Sequence, residues 1–141
     1  MDAHEFIDRV MALWRDPVPP GSTGEAAFGA CYAPSLTVNG TPFTLTDLVA
    51  RARSMQAAYS DIRPEVLEVV SAPDRIVVAF AMHVRHTGPL VTPLGVAEPT
   101  GREAAARTID VLAMRDGRIT DITVVSDELG LLTTLGVLRL T

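Results

Sequence analysis

The chain has 141 residues, 48% of them hydrophobic and 21% charged, a balance that suits one folded domain over residues 1–141 and argues against disorder. Against 17 acidic side chains stand 12 basic ones, giving a formal net charge of −5 with no basic run, so nothing would release counterions from a phosphate backbone and nucleic acid is not an expected partner. The single Cys31 has no second cysteine to bridge and no clustered histidine beside it, which excludes an internal disulfide, argues against a zinc site and fits a reducing cytoplasm.

The first residues, through Trp14, carry Asp2, Glu5 and Asp8 and lack the basic start and continuous apolar run of a signal peptide. No segment is long enough to span a bilayer, so a membrane is not an expected partner. Phe6, Ile7, Val10, Met11 and Trp14 fall at helical spacing, with Asp2 and Glu5 placed to cap the first turn. The proline- and glycine-rich run from Asp16 to Gly24 stops that helix. Ser22 and Glu25 then resemble a capping box for a short second helix through Phe28, Cys31 and Tyr32, and Pro34 turns the chain into an extended segment from Leu36 to Thr41. Leu45, Leu48, Val49, Ala52, Met55 and Tyr59 keep helical spacing behind a Thr44 cap, while Arg51, Arg53 and Gln56 fall off that stripe.

From Arg63 the period changes to two. Strands are expected over Val66–Val70, Ile76–His86, Glu103–Met114 and Ile119–Val125, with Asp116-Gly117 as a hairpin turn and a closing helix over Glu128–Leu135. Three helices, then antiparallel strands, then a short helix predict an α+β domain with the helices packed on one face of a curved sheet. The connection from Gly88 to Pro99 is apolar, proline-rich and long for a hairpin, which suits either a pocket lid or a dimer contact.

The order of elements and the strings CYAPSLTVNG from Cys31, AAYSDIRPEV from Ala57, PDRIVVAF from Pro73, HTG from His86, PTGR from Pro99 and MRDGRITDITVVSDELGLL from Met114 resemble the SnoaL-like polyketide cyclases, within the nuclear-transport-factor-2-like (NTF2-like) group of cone-shaped folds. The resemblance implies a cone lined by the concave sheet face, a hydrophobic small-molecule substrate or ligand, a homodimer, and no metal or organic cofactor. It also implies an aspartate after the last strand acting as acid and base, the place held by Asp127. Such an acid would remove a carbon-bound proton beside carbonyls and let the enolate close a polyketide ring. This chain departs from the family pattern in having Thr123 where an aromatic is common and no histidine in Glu103–Met114.

Asp127 directly precedes a helix, so a second reading makes it an N-cap; the two readings expect opposite pKa shifts. On the strand ending at His86, the bulkier face carries Phe80 and Met82 and is expected to line the cavity, with His86 at its rim to polarise a substrate oxygen. Tyr32, Asn39 and Tyr59 are candidates to hydrogen-bond a carbonyl or phenol oxygen. Asp110, in mid-strand, needs a partner such as Arg102 or Arg107. Two further readings stand beside the cyclase: a non-catalytic binding or accessory protein, and an epoxide-opening enzyme using Arg85 or Arg107 with Asp110 and Asp127.

Overall fold

The computed structural model describes residues 2–141. The first helix, α1 (Ala3–Arg15), opens with the Asp2 carboxylate accepting the His4 amide, and it buries Phe6, Ile7, Val10 and Met11. After the proline-rich loop comes α2 (Thr23–Phe28), which ends four residues short of Tyr32. Tyr32 instead begins a strand, β1 (Tyr32–Val38), and a hairpin joins β1 to β2 (Thr41–Thr44). The expected single extended segment is therefore two strands. Asn39 at φ 48° and Gly40 at φ 81° supply the two left-handed residues that a tight hairpin turn requires. Pro34 fits inside β1 because it falls where the pairing with β8 (Arg118–Ser126) shifts register between Tyr32 and Thr37, and β2 pairs only from Ser35 onward.

Helix α3 (Leu45–Ala58) is entered through a full capping box, in which Thr44 and Asp47 satisfy each other's amides. Strand β3 (Tyr59–Ala72) follows without a loop and is longer than its alternating pattern indicates, because register shifts at Ser60/Arg63 and Val66/Glu68 interrupt the period of two. It pairs with β4 (Arg75–His86), and the long connection after His86 contains its own hairpin, β5 (Leu90–Thr92) with β6 (Gly95–Ala97). Strands β7 (Glu103–Arg115) and β8 form the last hairpin, and α4 (Glu128–Leu135) closes the fold.

The main sheet has the order β2-β1-β8-β7-β4-β3, antiparallel except where β1 runs parallel to β8. This is the α+β cone predicted from the sequence, except that the β1–β2 hairpin of the mixed sheet falls between the second and third helices; a short helix follows the last strand. Helices α1 and α3 cover one sheet face, and the core lies between them: Ile7, Phe28, Val49, Val78, Leu112 and Ile119 are all essentially inaccessible to solvent. Phe28 connects helix to sheet, meeting Trp14 edge to face at 5.6 Å and stacking on Tyr32 at 5.8 Å. Among the described residues no helix is long and apolar enough to cross a membrane. Phe28→Ala should cost about 3–5 kcal/mol of unfolding free energy in urea titrations, because it empties the junction of three aromatic rings; a loss below about 1 kcal/mol would show that the junction collapses without penalty.

Candidate functional site

A cavity of about 270 Å³ opens between the concave sheet face and the helices. Strand parity decides what lines it. On β4 the even positions Phe80, Met82 and Val84 point inward; on β7 it is Ala106, Thr108 and Asp110; on β8 it is Ile122, Val124 and Ser126. The helices contribute Trp14, Leu48, Arg51, Met55 and Leu131 to a largely apolar wall.

Asp110 is the acid of this cavity. Its Cα is registered against Val78 on one side and Val124 on the other, and its neighbours along the concave face of β7 are Thr108 and Leu112. Among the described residues no side chain hydrogen-bonds or ion-pairs with its carboxyl group. Burial alone pushes its pKa up to about 6, since the surrounding valines replace the water that would stabilise the anion. The expected partners lie elsewhere: Arg107 is exposed and faces a groove on the outer side of the sheet, and Arg102 is exposed as well. Arg85 is held by Glu103 at 2.7 Å and by the Gly101 carbonyl at 2.8 Å.

Tyr32 also lines the cavity, its hydroxyl accepting the Trp14 indole N–H at 2.9 Å. Burial raises the phenol well above its ordinary pKa, the indole N–H pulls the other way, and the nearby charge of Asp110 adds to the rise. Tyr32 therefore stays protonated, and having accepted one hydrogen bond it retains an O–H to donate. Thr108 and Ser126, opposite each other in the β7–β8 pair, share a hydroxyl hydrogen bond at 2.9 Å. Tyr59 lies in the wall as well, its pKa raised by burial and by Glu128.

Three candidates from the sequence lie outside this wall. Asp127 follows the inward-facing Ser126 by one residue, so strand parity turns it outward; it is exposed, and its carboxylate accepts the Gly130 amide at 2.8 Å as the N-cap of α4. A Cβ at Gly130 would collide with that carboxylate, which accounts for the glycine in the DELG string. The placement matches the capping reading. His86 has the inward parity expected of it but is sealed rather than at a rim: it is 0% exposed, and its Nδ1 accepts the Thr100 amide at 3.2 Å. Its main chain bonds Arg102 and Gly101, so His86 anchors both ends of the connection that carries β5 and β6. Asn39 is committed to the sheet, its amide exchanging hydrogen bonds with the Val124 backbone at 3.1 and 2.9 Å.

The structure thus brings together Tyr32, Tyr59, Phe80, Met82 and Asp110 and adds Trp14, Arg51, Thr108 and Ser126, which sequence reasoning missed. Arg51 was legible: it lies three residues after Leu48 and four before Met55, so all three share one helix face. The same parity that places Asp110 inward also places Thr108, two residues before it. Among the described residues no group of three or more His, Cys, Asp or Glu side chains is arranged to hold a metal ion.

Comparison with known proteins agrees with this architecture. No curated protein matches the chain. Among solved structures it resembles TsrD from Streptomyces laurentii at 18% identity, TM-score 0.79, covering 96% of this chain and 95% of that one. IdmH from Streptomyces antibioticus, described as a proposed polyketide cyclase, superposes with TM-score 0.75 at 20% identity over 96% and 99% of the two chains. AclR from Streptomyces galilaeus, described as a proposed hydroxylase, gives TM-score 0.72 at 18% identity over 98% and 100%. At these identities the likeness is one of fold. Residues 23–135, most of the chain, match the family description SnoaL-like polyketide cyclase, and the chain belongs to that family.

Proposed function

We propose that this protein is a cofactor-independent enzyme that closes a ring in an apolar, oxygenated substrate of the polyketide type by acid–base catalysis, with Asp110 as the proton-transferring group. The observation that carries the proposal is a desolvated carboxyl group with no partner, raised to about 6, facing an apolar cavity that holds the Tyr32 hydroxyl. A base for carbon acids must be ionised at working pH yet retain proton affinity, and a carboxyl near 6 meets both conditions.

In the proposed reaction the Asp110 carboxylate takes a proton from a carbon beside a carbonyl. The released electron pair moves onto that carbonyl oxygen to give an enolate, whose charge the Tyr32 O–H stabilises. The enolate carbon then attacks a ketone of the same molecule, one carbon–carbon bond forms, and the new alkoxide takes the proton back from Asp110. No electrons leave or enter, so the step needs no redox partner. The apolar wall excludes water that would otherwise quench the enolate.

The competing reading, a binding or accessory protein using the same cone, draws on the histidines. None of the chain's three lines the cavity, so no imidazole stands beside Asp110 as an acid–base partner. Turnover separates the two. The epoxide reading loses its expected cluster, since Asp127 and Arg107 face the outer groove while Asp110 faces the cavity.

Offered an anthraquinone-type keto ester and followed by mass spectrometry, Asp110→Asn should lose about two to four orders of magnitude in turnover, while Asp127→Asn, which retains a capping oxygen, should turn over like wild type. The reverse pattern would return the catalytic role to Asp127. Because the base form of Asp110 is the active one, kcat/KM should rise as pH passes upward through about 6 and then level off; a profile falling through that range would assign the acid form instead.

A further inference from the structure

Among the described residues, the cavity wall contains one charged side chain besides Asp110. Arg51 sits on the α3 face that closes the cone, its guanidinium carbon 5.1 Å from the centre of the Phe43 ring, and Phe43 is itself a wall residue. Four other arginines pair with carboxylates: Arg15 with Asp16, Arg63 with Asp61, Arg75 with Asp74 and Arg85 with Glu103. Arg51 is exposed and, among the described residues, has no carboxylate partner; its contact is with the Phe43 ring. A guanidinium packed over an aromatic face is held in place while keeping its N–H fork at the edge for a planar anion.

We propose that Arg51 and Phe43 form an anion subsite of the cavity, and that the ligand is a flat apolar molecule carrying a carboxylate. Phe43 supports the body of the ligand and Arg51 receives its carboxylate through paired N–H donors. A single guanidinium in a protein of net charge −5 suits a singly charged group; a coenzyme thioester or phosphate ester would need more cations than this wall supplies. The subsite also resolves a conflict inside the cavity, because an anionic ligand near Asp110 would be repelled without a cation beside it. The inference deepens the reading above by naming a substrate class, and rests on it only in calling the ligand a substrate.

Trp14, the chain's one tryptophan, is part of the cavity wall, so its fluorescence reports occupancy. Quenching titrations with anthraquinone-2-carboxylate and anthraquinone-2-carboxamide at pH 7.5 compare two ligands of the same shape, one anionic and one neutral. The acid should bind about tenfold more tightly than the amide, and added salt should narrow the gap by weakening the acid alone. Arg51→Gln should bring the acid down to the affinity of the amide without changing the amide, and Arg51→Lys should keep part of the preference. Equal binding of the two ligands to wild type, failure of the acid to bind, or equal weakening of both by Arg51→Gln would overturn the proposal. Asp110→Asn should retain the preference for the acid, so a failed acid–base mechanism and a failed anion subsite give different results.

Discussion

A carboxyl group held on the concave face of the sheet with no counter-ion is the constraint around which the rest of the cavity is arranged. Asp110 sits between Val78 and Val124 in register, and its ionisation is opposed by the same apolar packing that closes the core. In the unfolded chain an aspartate titrates near 4. With the folded value near 6, the folded state keeps a proton that the unfolded state has already released, so stability falls as pH rises from about 4 through 6. Above that window the ionised group costs the fold on the order of 2–3 kcal/mol. Carboxyl groups perturbed in this way cluster at functional sites.

The strained position is supported from both sides. Phe28, wedged between Trp14 and Tyr32, fixes the aromatic junction that presents the Tyr32 hydroxyl to the cavity. The Thr108 and Ser126 hydroxyls bond each other across β7 and β8, and among the described residues neither bonds the Asp110 carboxyl group. At the far end of β4, His86 bonds Thr100, Gly101 and Arg102 at the end of the β5–β6 connection, and the Thr87 and Gly88 amides donate to the Ala58 carbonyl at the end of α3. Gly88 is required there, since a Cβ would run into the Ala57 carbonyl.

Much of this was legible in the chain, because period and punctuation are local properties. Alternation in Ile76–His86 identified Phe80 and Met82 as wall residues, and the Thr44 cap fixed the start of α3. What misled was the step from element to site. Asp127 looked like the working acid because it follows the last strand in an apolar context, yet one residue of parity separates it from Ser126 and turns it out to cap α4. Asp110 looked like half of a structural ion pair because buried carboxylates usually need one; only the assembled sheet shows that Arg107 leaves on the opposite face. Asn39 drew attention as a polar side chain near the pocket, when its left-handed turn and bonds to Val124 commit it to holding β1 against β8. Such assignments depend on which elements become neighbours, and that information is spread over the whole chain.

The unpartnered, desolvated carboxyl group is the element on which the proposed acid–base role rests. Its titration can be followed directly by carboxyl carbon NMR on aspartate-labelled protein, with Asp110→Asn used to identify the resonance. A midpoint near 6 is the result expected from burial without a counter-ion. A midpoint near 4, the value of an aspartate in water, would mean that water or a hidden cation reaches Asp110, and would contradict its assignment as the proton-transferring group of the cavity.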